Sequence, residues 1–369
     1  MREPGRPAGV GVIGAGNIST QYLSSLVRFP EVEVRFVADV EPGRAAAQAA
    51  AFGIAAHGTP DELLARDDID VVLNLTVPAA HAEVSRSIID AGKHVWSEKP
   101  LALDRDSAEG LLSAARAAGL RVACAPDSVI GAGVQTALRA IARGDIGVPL
   151  TATTMVQMPG PEAWHPNPEF LYAVGAGPVL DLGPYYLSTL AQVFGPATRV
   201  QAVSSTASAT RRIGSGPRAG VVFPVEVPTH HAALIEFGHG RSAQSTFSFQ
   251  HALPRSGFVE VNGTEGTISL PDPNNFDGDS TLWRYGHDQP VTIPAVGARD
   301  GRGMGVVDLV RAIRGGSHER ASGRLAAHVL DVLLAIGEAA VSGMPVPISS
   351  TFPAVPPLPE EWDPVALSG

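Results

Sequence analysis

Lysine is nearly absent from this chain, and the place where it persists is informative. Of 27 lysine and arginine residues only two are lysine, Lys93 and Lys99, and both lie in the short stretch 91–100. Arginine does not lose its proton in proteins and has a wide planar head group, whereas lysine is a compact charge whose pKa changes readily on burial. The lysine kept in Glu98-Lys99-Pro100 therefore indicates a position at which arginine would fail. For Lys93, which precedes a predicted strand, we expect an ordinary surface role.

A glycine-rich turn follows the first predicted strand. The apolar run 9–13 ends in Gly14-Ala15-Gly16-Asn17-Ile18-Ser19, and a helical pattern continues to about Phe29. In such a turn the first glycine permits a tight bend, the second lets the backbone approach a pyrophosphate, and the helix N-terminus offers N–H groups to negative charge. A strand–helix–strand unit without a dinucleotide would share this pattern. The turn predicts dinucleotide binding by Gly14, Gly16, Asn17 and Ile18.

An acidic residue ends the second predicted strand. Asp39 lies about 20 residues beyond the turn, where a carboxylate binds the ribose hydroxyls of NAD and repels the 2′-phosphate of NADP. Arg44 follows closely enough in sequence to offer some support to NADP. We therefore expect NAD as the cofactor and NADP as the less favoured choice.

Strands and helices alternate through the first third of the chain. Apolar strands are predicted over 32–39, 71–76, 94–97 and 121–125, and helices over 45–52, 80–91 and 107–118. Such alternation of helices with nearly all-apolar strands predicts a parallel sheet covered on both faces. Lys99 follows the strand over 94–97, and in open α/β folds ligands bind at the carboxyl ends of the strands.

After about Asp127 the pattern changes to hairpins and longer helices. Hairpin strands are predicted over 232–237 with 242–249 and over 259–263 with 266–270, helices over 304–313 and 322–341, and an exposed loop over 204–217. We expect three parts: a dinucleotide-binding domain over 1–127, a substrate-binding and oligomerisation domain over 128–350, and a proline-rich extended tail over 351–369.

The composition excludes several classes of protein. A hydrophobic content of 44% and a mean hydropathy of +0.11 suffice for a packed core, and a net charge of −10 argues against a nucleic-acid surface. The single cysteine, Cys124, excludes an intramolecular disulfide, and no spacing of His, Asp and Glu predicts a metal site. We expect no signal peptide, no apolar run of membrane-spanning length and a cytoplasmic location.

Three further motifs, taken together with the glycine turn, resemble the Gfo/Idh/MocA family, which is named after glucose–fructose oxidoreductase, inositol dehydrogenase and a rhizopine-catabolism protein. They are Thr76-Val77-Pro78 with His81, Glu98-Lys99-Pro100, and the glycine-rich turn over 175–177 followed by Asp181-Leu182-Gly183-Pro184-Tyr185. The resemblance covers essentially the whole chain in the right order. It implies an α/β protein with an N-terminal Rossmann domain and a C-terminal α/β domain that has a large, mostly antiparallel open sheet.

The resemblance also implies roles for particular residues. Besides the glycine turn and Asp39, it assigns cofactor binding to Thr76, Pro78, His81, Glu98 and Lys99, and it implies a cis peptide bond between Lys99 and Pro100. It assigns catalysis to Lys99, Asp181 and Tyr185. The usual residue at the last position is histidine, and glucose–fructose oxidoreductase is among the members that carry tyrosine there.

These residues could support the oxidation of a secondary alcohol, which requires a hydride acceptor and a base for the hydroxyl proton. An ordinary tyrosine has a pKa of about 10, and a nearby ammonium group lowers it by favouring the phenolate. We hypothesise that Lys99 and Tyr185 form an acid/base pair, with Asp181 orienting the substrate or the lysine. Asp181 and Tyr185 would share one face of a helix. Because proline is tolerated only in a first turn, Pro184 predicts that this helix begins near Asp181.

An aromatic segment precedes the second glycine-rich turn. Trp164-His165-Pro166 and Phe170-Leu171-Tyr172 could offer a flat face to a sugar and a hydrogen bond from His165 to a hydroxyl group. A loop that packs its rings on the core would show the same pattern. We assign substrate binding to Trp164 and His165 together with Lys99, Asp181 and Tyr185.

The favoured function is an NAD-dependent sugar or polyol dehydrogenase that acts on CH–OH groups. The alternative is a glycosidase or lyase that keeps NAD bound and oxidises its substrate transiently, since some members of the family work in that way. A non-catalytic sensor of NAD or sugar is the third reading, and the retained proton-transfer residues argue against it. The resemblance implies a homodimer or homotetramer, with a small carbohydrate or polyol as the substrate.

Overall fold

The computed structural model describes residues 6–253 and 255–367, which form two compact units. Unit 1 takes in the chain up to Gln135, the segment Val296–Ala327, and the chain from Val355 onward. Unit 2 takes in Thr136–Ala295 and His328–Ala354.

Unit 1 contains a six-stranded parallel sheet. Its elements in chain order are β1 (Ala8–Ile13), α1 (Asn17–Leu26), β2 (Val32–Ala38), α2 (Pro42–Ala51), β3 (His57–Gly58), α3 (Pro60–Leu64), β4 (Val71–Asn74), α4 (His81–Asp90), β5 (His94–Ser97), α5 (Arg105–Ala117) and β6 (Val122–Cys124). The strand order in the sheet is β3-β2-β1-β4-β5-β6. Every residue of β1 and β4 is buried, as expected of parallel strands covered on both faces. The predicted Rossmann architecture is confirmed.

Unit 2 is built on a nine-stranded sheet. The remaining elements of the chain are α6 (Ala132–Ala142), β7 (Pro149–Gln157), α7 (Gly177–Phe194), β8 (Ala197–Ser205), β9 (Thr210–Arg212), β10 (Val222–Pro224), β11 (His230–Phe237), β12 (Ser242–Ser248), β13 (Arg255–Gly263), β14 (Gly266–Leu270), β15 (Ser280–Arg284), β16 (Val291–Ile293), α8 (Met304–Gly315), α9 (Gly323–Ser342) and β17 (Val346–Pro347). The strand order in the nine-stranded sheet is β16-β15-β14-β13-β7-β12-β11-β8-β17. Among the described strand pairings of this sheet, only that of β7 with β12 is parallel, so the predicted mostly antiparallel sheet is confirmed.

The segment 204–217 differs from the predicted exposed loop. It contains β9, which pairs with β10 in a separate two-stranded sheet. Arg211 anchors this hairpin, because its guanidinium donates to the carbonyl oxygen of Phe249 at 3.1 Å and to the carboxylate of Glu162 at 3.0 Å. Composition alone could not reveal these partners, since both are distant in sequence.

Lys93 is not the surface residue that its position predicted. It is only 5% exposed, and its ammonium group donates to the carbonyl oxygens of Arg66 at 2.5 Å and Ile69 at 3.3 Å. The buried ammonium group of Lys93 thus has the hydrogen-bond partners that a buried polar group requires, and they are carbonyl groups in the turn before β4. Lys93 therefore has a structural role.

Helix α7 begins earlier than the position of Pro184 predicted. It starts at Gly177, which has a φ of +89°, with Pro178 in its first turn, so Pro184 lies inside the helix. Proline inside a helix removes one backbone hydrogen bond. Most of α7 is buried, including Val179, Leu187 and Leu190, and this packing offsets that loss. Asp181 and Tyr185 consequently lie beyond the first turn, away from the helix N-terminus.

The predicted partition of the chain differs from the observed units after residue 295. Helix α8 packs in unit 1, where the Asp127 carboxylate accepts hydrogen bonds from the backbone N–H groups of Gly303 at 2.7 Å and Gly305 at 3.3 Å and so caps the helix. Most of the proline-rich tail, from Val355 onward, also belongs to this unit, where the guanidinium of Arg311 lies 5.0 Å from the centre of the Trp362 ring. Such partners are far apart in sequence, so local patterns did not reveal them.

Helix α9 contradicts the expectation that no apolar run reaches membrane-spanning length. By length and composition alone, its 20 residues could cross a membrane, and 56% of the apolar window is buried inside the protein. A buried core helix passes the same test, so a single such helix is weak evidence for a membrane span.

Asp127 predicts an unusual pH dependence of stability. The residue is fully buried, and burial raises its pKa to about 6 despite Arg302 and the two N–H donors. The unfolded chain releases this proton near pH 4, so the free energy of unfolding should fall as the pH rises from about 4 to about 6. Asp127→Asn removes this titration and should gain stability relative to the wild type across that window, by about 1–3 kcal/mol.

The control is Asp104→Asn, because Asp104 caps α5 through the Ser107 N–H at 2.8 Å and these hydrogen bonds lower its pKa. Its contribution to stability is present above its unfolded pKa and is lost as the pH falls, so this variant should show the opposite trend. Thermal unfolding between about pH 4 and about pH 7 measures both variants. If the stability of both variants relative to the wild type changed in the same direction with pH, the raised pKa assigned to Asp127 would be wrong.

Candidate active site

Gly14 brings the first turn of unit 1 against the chain that follows β4. Its φ is +103°, and a Cβ atom built there would lie 2.6 Å from the Leu75 carbonyl oxygen and 3.0 Å from the Thr76 nitrogen. A side chain would therefore meet both strain and a backbone clash. The predicted turn is present, and it requires glycine at this position.

Gly16 has the opposite surroundings. Apart from its neighbours in the chain, no described residue comes within 4 Å of a Cβ built there, and Gly16 precedes α1 as its N-cap. In the described chain no side chain caps α1, and no acidic residue lies in its first turn. This open space beside backbone N–H groups fits a pyrophosphate, with Asn17 and Ile18 as the first helical residues.

Asp39 lies where the sequence predicted, at the end of β2, and is only 6% exposed. Its two carboxylate oxygens accept hydrogen bonds from the backbone N–H groups of Ala15 at 2.7 Å and Glu41 at 2.8 Å. Each carboxylate oxygen can accept a further hydrogen bond. Asp39 thus ties the glycine turn to the end of β2 and retains acceptor capacity for a ribose.

Asn74 organises the segment after β4, and sequence reasoning missed it. Its Oδ1 accepts from the Thr76 hydroxyl at 2.6 Å, and its Nδ2 donates to the His81 carbonyl oxygen and to the Ser85 hydroxyl, both at 2.9 Å. Pro78 begins a short 3₁₀ helix in the same segment. The signal that could have identified Asn74 from the sequence is an amide side chain at the end of an otherwise apolar predicted strand.

The resemblance implied that His81 contacts the cofactor, but the structure places its side chain among backbone groups of the protein. It is 1% exposed, with Nδ1 2.6 Å from the Pro100 carbonyl oxygen and Nε2 3.0 Å from the Thr76 carbonyl oxygen. Both ring nitrogens are therefore occupied by the protein itself. His81 links the chain after β4 to the chain after β5.

Lys99 lies in the turn that follows β5 and is partly exposed. The Lys99–Pro100 peptide bond is cis, as the resemblance implied. The Lys99 N–H donates to Oε2 of Glu98 at 3.1 Å, and the Glu98 carbonyl oxygen accepts from the Ser97 hydroxyl at 3.0 Å. The backbone of this turn is thus held by hydrogen bonds on both sides of the Glu98–Lys99 peptide.

The three segments lie side by side. β1, β4 and β5 are adjacent strands, so Gly14, Thr76 and Lys99 lie at the carboxyl ends of neighbouring parallel strands. Chain order also reverses beside β1, which is where open α/β sheets bind dinucleotides. Unit 1 therefore brings the predicted phosphate-binding turn and the predicted catalytic lysine to one edge of the sheet.

Unit 2 holds the other predicted catalytic residues. Asp181 and Tyr185 lie one helical turn apart on α7, and Tyr185 is only 4% exposed, whereas Asp181 is partly exposed. The neighbouring Tyr186 has a structural role, because its hydroxyl group donates to the Asp272 carboxylate at 2.9 Å. The predicted shared helix face is confirmed.

The aromatic segment of unit 2 presents rings at the surface. Trp164 is 64% exposed and meets His165 edge to face at 5.5 Å, and His165 meets Phe170 at 5.4 Å. The base of the segment is anchored, since Glu162 accepts a short hydrogen bond from Tyr172. The geometry favours a pre-formed aromatic surface over a loop that packs all its rings on the core.

The chain matches two family models. The N-terminal model of GFO_IDH_MocA, described as an oxidoreductase family with an NAD-binding Rossmann fold, matches residues 8–125. The GFO/IDH/MocA C-terminal domain matches residues 134–269.

Curated relatives cover much of the chain. A 1,5-anhydro-D-fructose reductase from Ensifer adhaerens is 31% identical over 266 residues, which cover 70% of this chain and 74% of that protein. A D-xylose 1-dehydrogenase (NADP(+)) from Haloferax volcanii is 26% identical over 341 residues, which cover 91% and 98%.

Solved structures share the fold. An NAD-binding oxidoreductase from Klebsiella pneumoniae has a TM-score of 0.81 at 24% identity, covering 94% of this chain and all of that chain. Levoglucosan dehydrogenase in complex with NADH and levoglucosan has a TM-score of 0.79 at 23% identity, covering 93% and 99%.

The two glycines of the turn predict separable effects. Gly14→Ala should lower the free energy of unfolding by about 2 kcal/mol or more, because it adds strain and a backbone clash. Gly16→Ala should change stability by less than about 1 kcal/mol yet weaken NAD binding at least tenfold (about 1.4 kcal/mol), because its methyl group would occupy the pyrophosphate space. Thermal unfolding and calorimetric NAD titration measure the two effects. Wild-type affinity in Gly16→Ala would show that the pyrophosphate lies elsewhere.

Proposed function

This chain belongs to the Gfo/Idh/MocA family of oxidoreductases, and we propose that it transfers hydride between NAD and a hydroxyl-bearing carbon of a sugar, glycoside or polyol. The observation that carries the proposal is Lys99, presented from a fixed turn at the same sheet edge as the open phosphate-binding turn at Gly16. The matched proteins with assigned activities include an anhydrofructose reductase and a xylose dehydrogenase, which supports a carbohydrate substrate.

The chain's own residues would handle the hydroxyl proton. When bound, NAD accepts the hydride from the carbinol carbon, and that carbon becomes a carbonyl as the O–H proton leaves. We assign this proton to the acid/base pair of Lys99 and Tyr185, with Asp181 orienting the substrate or the lysine. Partial exposure supports proton exchange at Lys99 and substrate contact at Asp181, since such groups must reach the substrate. Tyr185 is only 4% exposed, so its role rests on its position one helical turn from Asp181.

Asp39 supports NAD over NADP. Its buried carboxylate is fixed by two backbone N–H groups at the end of β2, and the neighbouring Glu41 adds a second, exposed carboxylate. Two acidic groups would repel a 2′-phosphate. Arg44 is exposed in the first turn of α2 and is the only basic residue in the described helix.

The aromatic surface at Trp164 and His165 supports sugar binding. Exposed rings offer a flat apolar face to the C–H groups of a sugar ring, and His165 adds a polar edge. We also propose a homodimer or homotetramer in the cytoplasm. Exposed apolar side chains of the unit 2 sheet, such as Val203 and Leu234, support a surface that a second copy would cover.

The test uses a panel of sugars and polyols and measures formation of NADH from NAD and, separately, formation of NADPH from NADP. Wild-type protein should form NADH with at least one member of the panel. Lys99→Arg should lower kcat by about a thousandfold while the NAD dissociation constant stays the same, because arginine keeps the charge but cannot exchange its proton. Retained turnover in Lys99→Arg would remove lysine from the chemistry. Product without NADH would instead indicate a hydrolase or lyase that retains its cofactor.

A second variant separates the two proposed proton carriers. Tyr185→Phe should lower kcat by about a hundredfold or more and change the pH profile of kcat, because the phenol hydroxyl is lost. Tyr285→Phe is the control, since this tyrosine of unit 2 is exposed and its hydroxyl group, among the contacts described, bonds only to Asn262. An unchanged rate and profile in Tyr185→Phe would leave Lys99 or water as the base.

A further inference from the structure

Glu98 is a buried carboxylate with three partners. The residue is 7% exposed, and its Oε1 accepts from the Tyr22 hydroxyl at 2.8 Å and lies 3.7 Å from Nη1 of Arg302. Its Oε2 accepts from the Lys99 backbone N–H at 3.1 Å. A buried charge is tolerated only when it is paired and hydrogen-bonded, and Tyr22 and Arg302 supply these interactions from outside the turn.

The direction of the Tyr22 hydrogen bond is fixed by chemistry. The indole N–H of Trp96 can only donate, and it donates to the Tyr22 hydroxyl oxygen at 3.1 Å. The hydroxyl hydrogen is therefore directed to Glu98. Burial raises the pKa of Tyr22 well above its ordinary value, and the nearby Glu98 carboxylate raises it further, so the hydroxyl remains a donor.

The peptide between Glu98 and Lys99 is held on both sides. Its N–H bonds to the Glu98 carboxylate, and its carbonyl oxygen accepts from the Ser97 hydroxyl at 3.0 Å and from Sγ of Cys124 at 3.5 Å. The orientation of this peptide plane determines where the Lys99 side chain leaves the backbone. Whatever fixes Glu98 therefore fixes the direction of Lys99.

The same contacts tie the lysine turn to the cofactor helix. Tyr22 lies on α1, whose N-terminus is the glycine turn, and Nε of Arg302 donates to the side chain of Gln21 on that helix at 2.9 Å. Arg302 itself precedes α8 and reaches Glu98 from a segment distant in sequence. One cluster thus couples the phosphate-binding helix to the lysine turn.

We propose that Tyr22 and Arg302 are positioning residues. Through their contacts with the Glu98 carboxylate they hold Lys99 at a fixed direction and distance from the bound cofactor. This inference rests on the proposed function of Lys99. Neither residue reacts with the substrate. Their loss should impair turnover while the phosphate-binding turn remains intact.

The experiment compares Tyr22→Phe and Arg302→Gln with a matched control, Arg320→Gln. Arg320 also forms an ion pair with a buried carboxylate of unit 1, Asp308, at 2.7 Å, but it is not among the partners of Glu98. All three variants should lower the melting temperature. Only Tyr22→Phe and Arg302→Gln should lower kcat, by about tenfold or more, with the NAD dissociation constant within about threefold of wild type. Arg302→Lys, which restores the charge, should recover part of the lost rate.

A second readout does not depend on turnover. Because Lys93 and Lys99 are the only lysines, amine acetylation followed by peptide mass spectrometry reports on each of them separately. A loosened turn should expose Lys99, so its acetylation should be about threefold faster or more in Tyr22→Phe than in Arg320→Gln, with buried Lys93 as the internal reference.

The two readouts distinguish failure of the inference from failure of the proposed function. If no sugar yields NADH but acetylation of Lys99 accelerates in Tyr22→Phe, the proposed function fails, while the inference that Tyr22 holds the Lys99 turn in place is supported. If wild-type protein is active and Tyr22→Phe matches Arg320→Gln in both kcat and acetylation, the positioning role is refuted.

Discussion

The position of His81 between two backbone carbonyl groups is the interaction on which the candidate site depends. Its ring nitrogens contact the carbonyl oxygens of Thr76 and Pro100, and so connect the chain segments that leave two adjacent strands. Buried carbonyl groups must find a polar partner. A single buried imidazole lies within hydrogen-bond distance of carbonyl oxygens at two strand ends, and it thereby links the lysine turn to the segment beside the glycine turn.

The site is also shaped by how closely backbone approaches backbone. Gly14 lets its turn touch the Leu75 carbonyl, and the space next to Gly16 stays open. Within one short motif, Gly14 allows a close backbone contact inside the protein, whereas Gly16 leaves space for a bound molecule. The distinction is invisible in the sequence, where both are simply glycine, and it emerges only when the neighbours of each position are known.

Local pattern was a good guide wherever the physical cause was local. The strands and helices of unit 1, the glycine turn and the position of Lys99 at the carboxyl end of a strand follow from periodicity and from the chemistry of single residues. The start of α7, the burial of Lys93 and the contacts of Asn74 depend on packing against distant segments. Sequence patterns could place Asp181 and Tyr185 on one helix face, but they could not show that tertiary packing would carry Pro184 inside that helix.

The discontinuous make-up of unit 1 has a consequence for how the protein is made. Glu31 is 2% exposed and pairs with Arg311 at 2.8 Å and Arg314 at 3.1 Å, while Asp127 meets the start of α8. A ribosome releases these acidic residues long before their partners are synthesised. Until translation passes residue 314, the nascent sheet must keep such carboxylates hydrated or protonated, because burying them alone is costly. Unit 1 thus begins to be synthesised first, but its buried carboxylates gain their partners only after most of the chain has been made.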